Sequence, residues 1–120
     1  MRFAVLFPGQ GSQQVGMGEE LFDSRPDLLG STADDLLGWS LRAVCLEGPE
    51  SLLTQTDRAQ PALFAVAYAL WEEFSRMVGE AQPVAAAGHS LGEYTALAAA
   101  GVFGYRDALR IVSDLSLIHI

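Results

Sequence analysis

The sequence predicts an α/β fold built on a short, mainly parallel sheet with flanking helices. Three observations carry this. Phe3-Ala4-Val5-Leu6-Phe7 is an unbroken apolar run stopped by Pro8-Gly9, which predicts a short strand buried on both faces. Val84-Ala85-Ala86-Ala87 is a second small apolar run, and it leads into a turn framed by Gly88 and Gly92. The long segment from Pro61 to Val78 between them has helical periodicity, and strands separated by helices take parallel order.

The 120 residues suit one compact domain or a piece of a larger one. Half are hydrophobic and 18% are charged, a globular balance. The net charge of −8 argues against nucleic acid as a partner, because phosphate neutralisation needs clustered Lys and Arg. Cys45 is the lone cysteine, so neither an internal disulfide nor a cysteine metal pair is expected, and no metal or cofactor is predicted. The longest apolar stretch without a charge, Pro61 to Trp71, is too short to span a membrane, which takes about 20 residues. Only five apolar residues follow Arg2 before Pro8, so a secretory signal is not expected. These features together predict a soluble, cytoplasmic protein.

Along the chain, Gly9 to Gln14 reads as a glycine-rich loop after the first strand. A short helix is expected around Gly16 to Phe22. Pro26 opens another with Leu28, Leu29, Leu36 and Leu37 on its apolar side, closed by Gly38. Pro49 to Leu53 reads as a helical turn with proline at its first position. Thr54 to Ala59 reads as a polar connection, and the long helix starts at Pro61. Leu63, Val66, Ala67, Leu70, Trp71, Phe74, Met77 and Val78 supply its apolar positions, and Gly79 stops it. A helix from about Leu91 to Ala100 follows the glycine-framed turn, and another runs from Arg106 to about Val112. Glu19-Glu20 and Glu72-Glu73 read as solvated helix faces.

Gly88-x-Ser90-x-Gly92 carries the strongest chemical signal. Between a strand and a helix this spacing forms a nucleophile elbow: the glycines let strand and helix approach closely, and the sharp turn lifts the Ser90 hydroxyl above the sheet edge. Helix N-terminal amides then face any oxyanion formed there, with the Leu91 N–H as the natural first donor. The pattern alone arises by chance in about one chain of this size in twenty-five, so a purely structural turn stands beside the nucleophile reading. His89 is next in sequence to Ser90, and neighbouring side chains at a tight turn diverge. It therefore reads as a residue that buttresses the elbow rather than as the base. His119, the other histidine, lies in a terminal tail.

The loop Gly9-Gln10-Gly11 has neither the third glycine of a dinucleotide fingerprint nor the Lys of a P-loop. Its alternative use is to turn the Gln10 N–H toward the elbow as a second oxyanion donor. Gln60, in Gln60-Pro61-Ala62, reads either as part of a polar loop or as a pocket wall facing substrate. Cys45 reads as a small buried hydrophobe, and Trp39 and Trp71 as packing residues.

Phe7-Pro8-Gly9-Gln10-Gly11-Ser12-Gln13, Gln60-Pro61-Ala62 and Gly88-His89-Ser90-Leu91-Gly92-Glu93-Tyr94 stand in the order found in acyltransferases. From Arg2 to about Val112 the chain resembles the N-terminal part of the malonyl-CoA:acyl carrier protein transacylase family. The resemblance implies part of an α/β-hydrolase-like acyltransferase domain and a ping-pong transfer in fatty-acid biosynthesis. Ser90 would attack malonyl-CoA, the Gln10 and Leu91 amides would hold the oxyanion, and the malonyl group would pass to the phosphopantetheine thiol of acyl carrier protein. Malonyl-CoA is then a substrate rather than a cofactor. Gln60, His89, Gly9 and Gly11 would support the site.

The chain also departs from that family. The family's general-base histidine lies beyond residue 120. Leu115 and Ser116 stand where an Arg-Gly pair is expected, and leucine cannot replace a bidentate guanidinium clamp on a carboxylate. The expected organisation is residues 1–112 as the N-terminal part of an acyltransferase domain, followed by a foreign tail, 113–120. Low activity is expected of these 120 residues alone. Two other functions share the elbow: a serine esterase or thioesterase, and a non-catalytic piece that binds acyl carrier protein.

Overall fold

The computed structural model describes residues 2–79 and 82–118; His119 lies outside them. Two strands, β1 (Ala4–Phe7) and β2 (Ala85–Gly88), pair in parallel, with Ala4 opposite Ala85 and Phe7 opposite Gly88. Seven α-helices accompany them among the described residues: α1 (Glu19–Ser24), α2 (Pro26–Leu29), α3 (Ser31–Leu37), α4 (Glu50–Leu53), α5 (Thr56–Met77), α6 (Gly92–Ala99) and α7 (Tyr105–Ile118). A π-helical turn, Ala43–Glu47, lies between α3 and α4 and buries Val44 and Cys45. No described helix is long and apolar enough to cross a membrane.

The 22-residue α5, about 33 Å long at 1.5 Å per residue, is the axis of the molecule. Its N-terminal half is buried nearly all round, from Pro61 through Val66. Helices α1, α2, α4, α6 and α7 pack against it. Phe64 is fully buried and stacks on Tyr68 and Tyr105, with ring centroids 6.1 and 5.7 Å away. Burying such a ring contributes about 1.5–3 kcal/mol. Toward its C-terminus α5 meets the sheet: Phe74 packs edge-on to Phe3, and Trp71 edge-on to Phe7. The Arg25 guanidinium, nearly buried, grips Asp27, Glu72 and Glu73 at 2.9, 2.6 and 3.1 Å and ties the start of α2 to α5.

The structure corrects several expectations. Neither strand is buried on both faces. Phe7 is buried against α5, but Leu6 is 79% exposed and its register partner Ala87 is exposed too, since no described element covers that face. The first helix starts at Glu19 rather than Gly16, because Gly16 and Gly18 both take left-handed φ (99° and 78°) and hold the chain in turns. The segment after Pro26 is two helices, broken at Gly30 where ψ is −142°. Pro49 precedes α4 in extended backbone instead of opening it. The long helix starts at Thr56, so Pro61 lies inside it, and residues 56–59 of the expected polar connection form its first turn. Glu72 and Glu73 are not simply solvated, since both bind Arg25. Finally, α7 continues to Ile118 with Ala108, Leu109, Val112 and Ser116 on its buried side.

Candidate active site

Between β2 and α6 the chain turns within three residues. The His89 N–H continues the sheet by donating to Phe7 O (3.2 Å), and the Gly92 N–H donates back to His89 O (3.0 Å). Ser90 sits at the apex with φ 56°, the sole non-glycine residue with positive φ among the described residues, and it is exposed. A left-handed serine costs about 1 kcal/mol, and such strain collects where a side chain must be aimed. Leu91 is already right-handed (φ −50°, ψ −37°) and forms the N-cap of α6.

Contact, rather than dihedral freedom, fixes the flanking glycines. A Cβ on Gly88 would overlap the carbonyl of Gly92, and one on Gly92 would overlap the carbonyl of Phe7. A Cβ on Gly9 would strike the carbonyl of His89 and come within 3.1 Å of its Nδ1. The loop after β1 is thus pressed against the elbow, and His89 occupies the seam between them. Gly11 has φ 112° with open space around it, so its need for glycine is conformational.

The Gly11 N–H donates to Gln13 Oε1 (2.7 Å) and the Ser12 N–H to Gly9 O (3.3 Å). The amides of Gln10 and Leu91 find no acceptor among the described residues. The Gln10 side chain is held at both ends: its Nε2 donates to Thr56 Oγ1 (3.2 Å), and its Oε1 accepts from Gln60 Nε2 (3.3 Å).

A cleft of about 230 Å3 opens at the elbow, lined by Gln60, Ser90, Leu91, Glu93, Tyr94, Val112 and Leu115. It brings together Ser90, Leu91 and Gln60, with Gln10 attached through Gln60. Glu93 is its one charged lining residue, and Arg110 is exposed on α7 outside it. No described side chain is hydrogen-bonded to Ser90 Oγ, so the described residues hold no base in contact with it. Sequence reasoning gives no role to Thr56; its signal is the four-residue spacing Thr56-x-x-x-Gln60, which places both on one helix face once the helix start is known.

Away from the cleft, burial pushes the Cys45 thiol up to about 12 and the Tyr68 phenol up to about 12, and raises Tyr105 also. The hydrogen bond from Arg25 holds the Asp27 carboxyl below its usual range. Cys45 is therefore a packed, unreactive thiol.

Comparison with known proteins gives the same assignment from three directions. Residues 4–117 match the acyl transferase domain family. The polyketide biosynthesis protein ThaF of Burkholderia thailandensis is 49% identical over 109 residues, 91% of this chain and 9% of that protein. A malonyl CoA-acyl carrier protein transacylase of Haemophilus influenzae is 41% identical over 113 residues, 92% of this chain and 36% of that protein. A malonyl-transacylase solved in complex with a type II polyketide synthase acyl-carrier protein superposes with TM-score 0.87 at 40% identity, covering 98% of this chain and 38% of that one. The chain therefore spans about a third of the length of the transacylases it matches, and it belongs to the acyl transferase domain family.

Proposed function

We propose that this chain supplies the nucleophile and oxyanion donors of a transacylase that moves a malonyl group from malonyl-CoA to the phosphopantetheine thiol of an acyl carrier protein in fatty-acid biosynthesis. The observation that carries the reading is Ser90: exposed, left-handed at an elbow, on a cleft, and followed by the Leu91 amide, which has no acceptor among the described residues. Ser90 Oγ attacks the thioester carbonyl, the C–S bond breaks, and coenzyme A leaves with the proton as its thiol. In the second half the carrier thiol attacks the serine ester and its proton returns to Ser90 Oγ. Each half passes through a tetrahedral oxyanion, and removing one preorganised donor to it costs about 3 kcal/mol.

Malonyl and acyl carrier protein are supported by the names of the relatives and by the solved complex. The described cleft has no cation for the malonyl carboxylate, since Leu115 lines it. A cytoplasmic location goes with the same reading. Without a base in contact with Ser90, these residues are expected to acylate slowly. The experiment is to charge the protein with malonyl-CoA, remove excess reagent, and offer carrier thiol or water as acceptor. Transfer to carrier supports the transacylase; release of free malonate in preference to transfer supports the esterase alternative; carrier binding without acylation supports a docking piece.

A further inference from the structure

We propose that Thr56 is a positioning residue for the oxyanion loop: its hydroxyl, one helical turn before Gln60, clamps the Gln10 carboxamide and so aims the Gln10 amide at the acyl group on Ser90. The proposal rests on the reading of Ser90 as the acylated residue.

Three features of the structure support it. First, the Gln10 carboxamide has both ends engaged, by Thr56 Oγ1 at 3.2 Å and by Gln60 Nε2 at 3.3 Å. Residues four apart lie on one face of a helix, so the first two turns of α5 form a two-point grip. Second, Gln55 holds the N-cap position of α5 and makes no side-chain cap, whereas the hydroxyl of Thr56, the first helical residue, is engaged by the Gln10 carboxamide. Third, the neighbouring amides of Gly11 and Ser12 are satisfied inside the loop, whereas that of Gln10 is left without an acceptor. The two Gln10 contacts are the side-chain hydrogen bonds that join this loop to α5. Gly9 meanwhile abuts His89, so the loop is fixed to the elbow on one side and to the helix on the other. Preorganisation is what gives an oxyanion donor its effect, and a displacement of about 1 Å costs on the order of a hundredfold in rate.

The test compares wild type, Thr56→Val and Thr56→Ser, reading two quantities: the rate of malonyl adduct formation on Ser90 as malonyl-CoA is varied, and the side-chain NH2 resonances of Gln10 by 15N NMR. Thr56→Val keeps the shape and loses the hydroxyl. It is expected to shift the Gln10 resonances and lower the saturating acylation rate about tenfold, with the half-saturating malonyl-CoA concentration unchanged. Thr56→Ser, which keeps the hydroxyl, is expected to restore both. Unchanged Gln10 resonances in Thr56→Val, or an acylation rate equal to wild type, overturns the assignment. Equal losses in Thr56→Val and Thr56→Ser also overturn it, since they assign the effect to packing of the threonine methyl. A wild-type protein that takes up no malonyl group overturns the functional reading itself, and the assignment falls with it.

Discussion

Gly88 and Gly92 meet backbone to backbone across the elbow: a methyl group on Gly88 would occupy the place of the Gly92 carbonyl. Neither residue has positive φ. Their requirement is for space, set by how closely the end of β2 must approach the start of α6 to leave Ser90 at the apex.

That relationship predicts a strong position dependence of Gly→Ala substitution. Gly88→Ala and Gly92→Ala are each expected to destabilise by about 3 kcal/mol or more, because backbone rather than a movable side chain must shift. Gly104 has open space around it and no positive φ. Gly104→Ala is expected to stay within about 1 kcal/mol of wild type, because the entropy gain of alanine is opposed by its poor fit just before α7. Urea midpoints of the three variants check this.

At Ser90 the usual ranking of alanine over glycine should reverse. With φ at 56°, Ser90→Gly is expected to be more stable than Ser90→Ala by about 1 kcal/mol. Both variants should lose acylation. Equal stabilities, measured by denaturant titration, would mean that the elbow is not strained.

Arg25 binds three carboxylates from a nearly buried position, whereas Arg76 meets Glu73 at 3.6 Å on the surface. Arg25→Met is expected to cost about 2 kcal/mol, discounted because its partners are partly solvated, and Arg76→Met under about 0.5 kcal/mol. Thermal midpoints of the two variants decide it.

The pH dependence has a definite sign on each side. Cys45 and Tyr68 are both raised to about 12, so the stability they contribute is complete below their unfolded values, about 8.5 and 10, and is lost as pH rises through the folded ones. Asp27 is lowered, so its contribution is present above about pH 4 and lost as pH falls through its folded value. Stability measured across pH 3–11 should therefore be flat between about 5 and 8 and fall on both sides. Iodoacetamide at pH 8 should label Cys45 only after denaturation.

The elbow was legible in the sequence because its determinants are local: two glycines four apart, a serine between them, an apolar run before and an alanine-rich helix after. Gln10 and Gln60 were legible singly, as loop and helix-entry residues. Their contact was not, because it joins positions 50 apart through a helix whose start the sequence places too late. Proline's preference for the first turn made Pro61 the apparent start, while the true start at Thr56 has no side-chain cap to mark it. The exposure of one face of the sheet was hidden for another reason. An apolar run predicts burial, but its realisation depends on what packs there, and no described element covers Leu6 or Ala87.

The most direct measurement is the intact mass of the protein after incubation with malonyl-CoA, followed by peptide mapping of the modified site. The account predicts slow gain of one malonyl group, located on Ser90 and missing from Ser90→Ala. No gain in mass, or an equal gain in the Ser90→Ala variant, would contradict it.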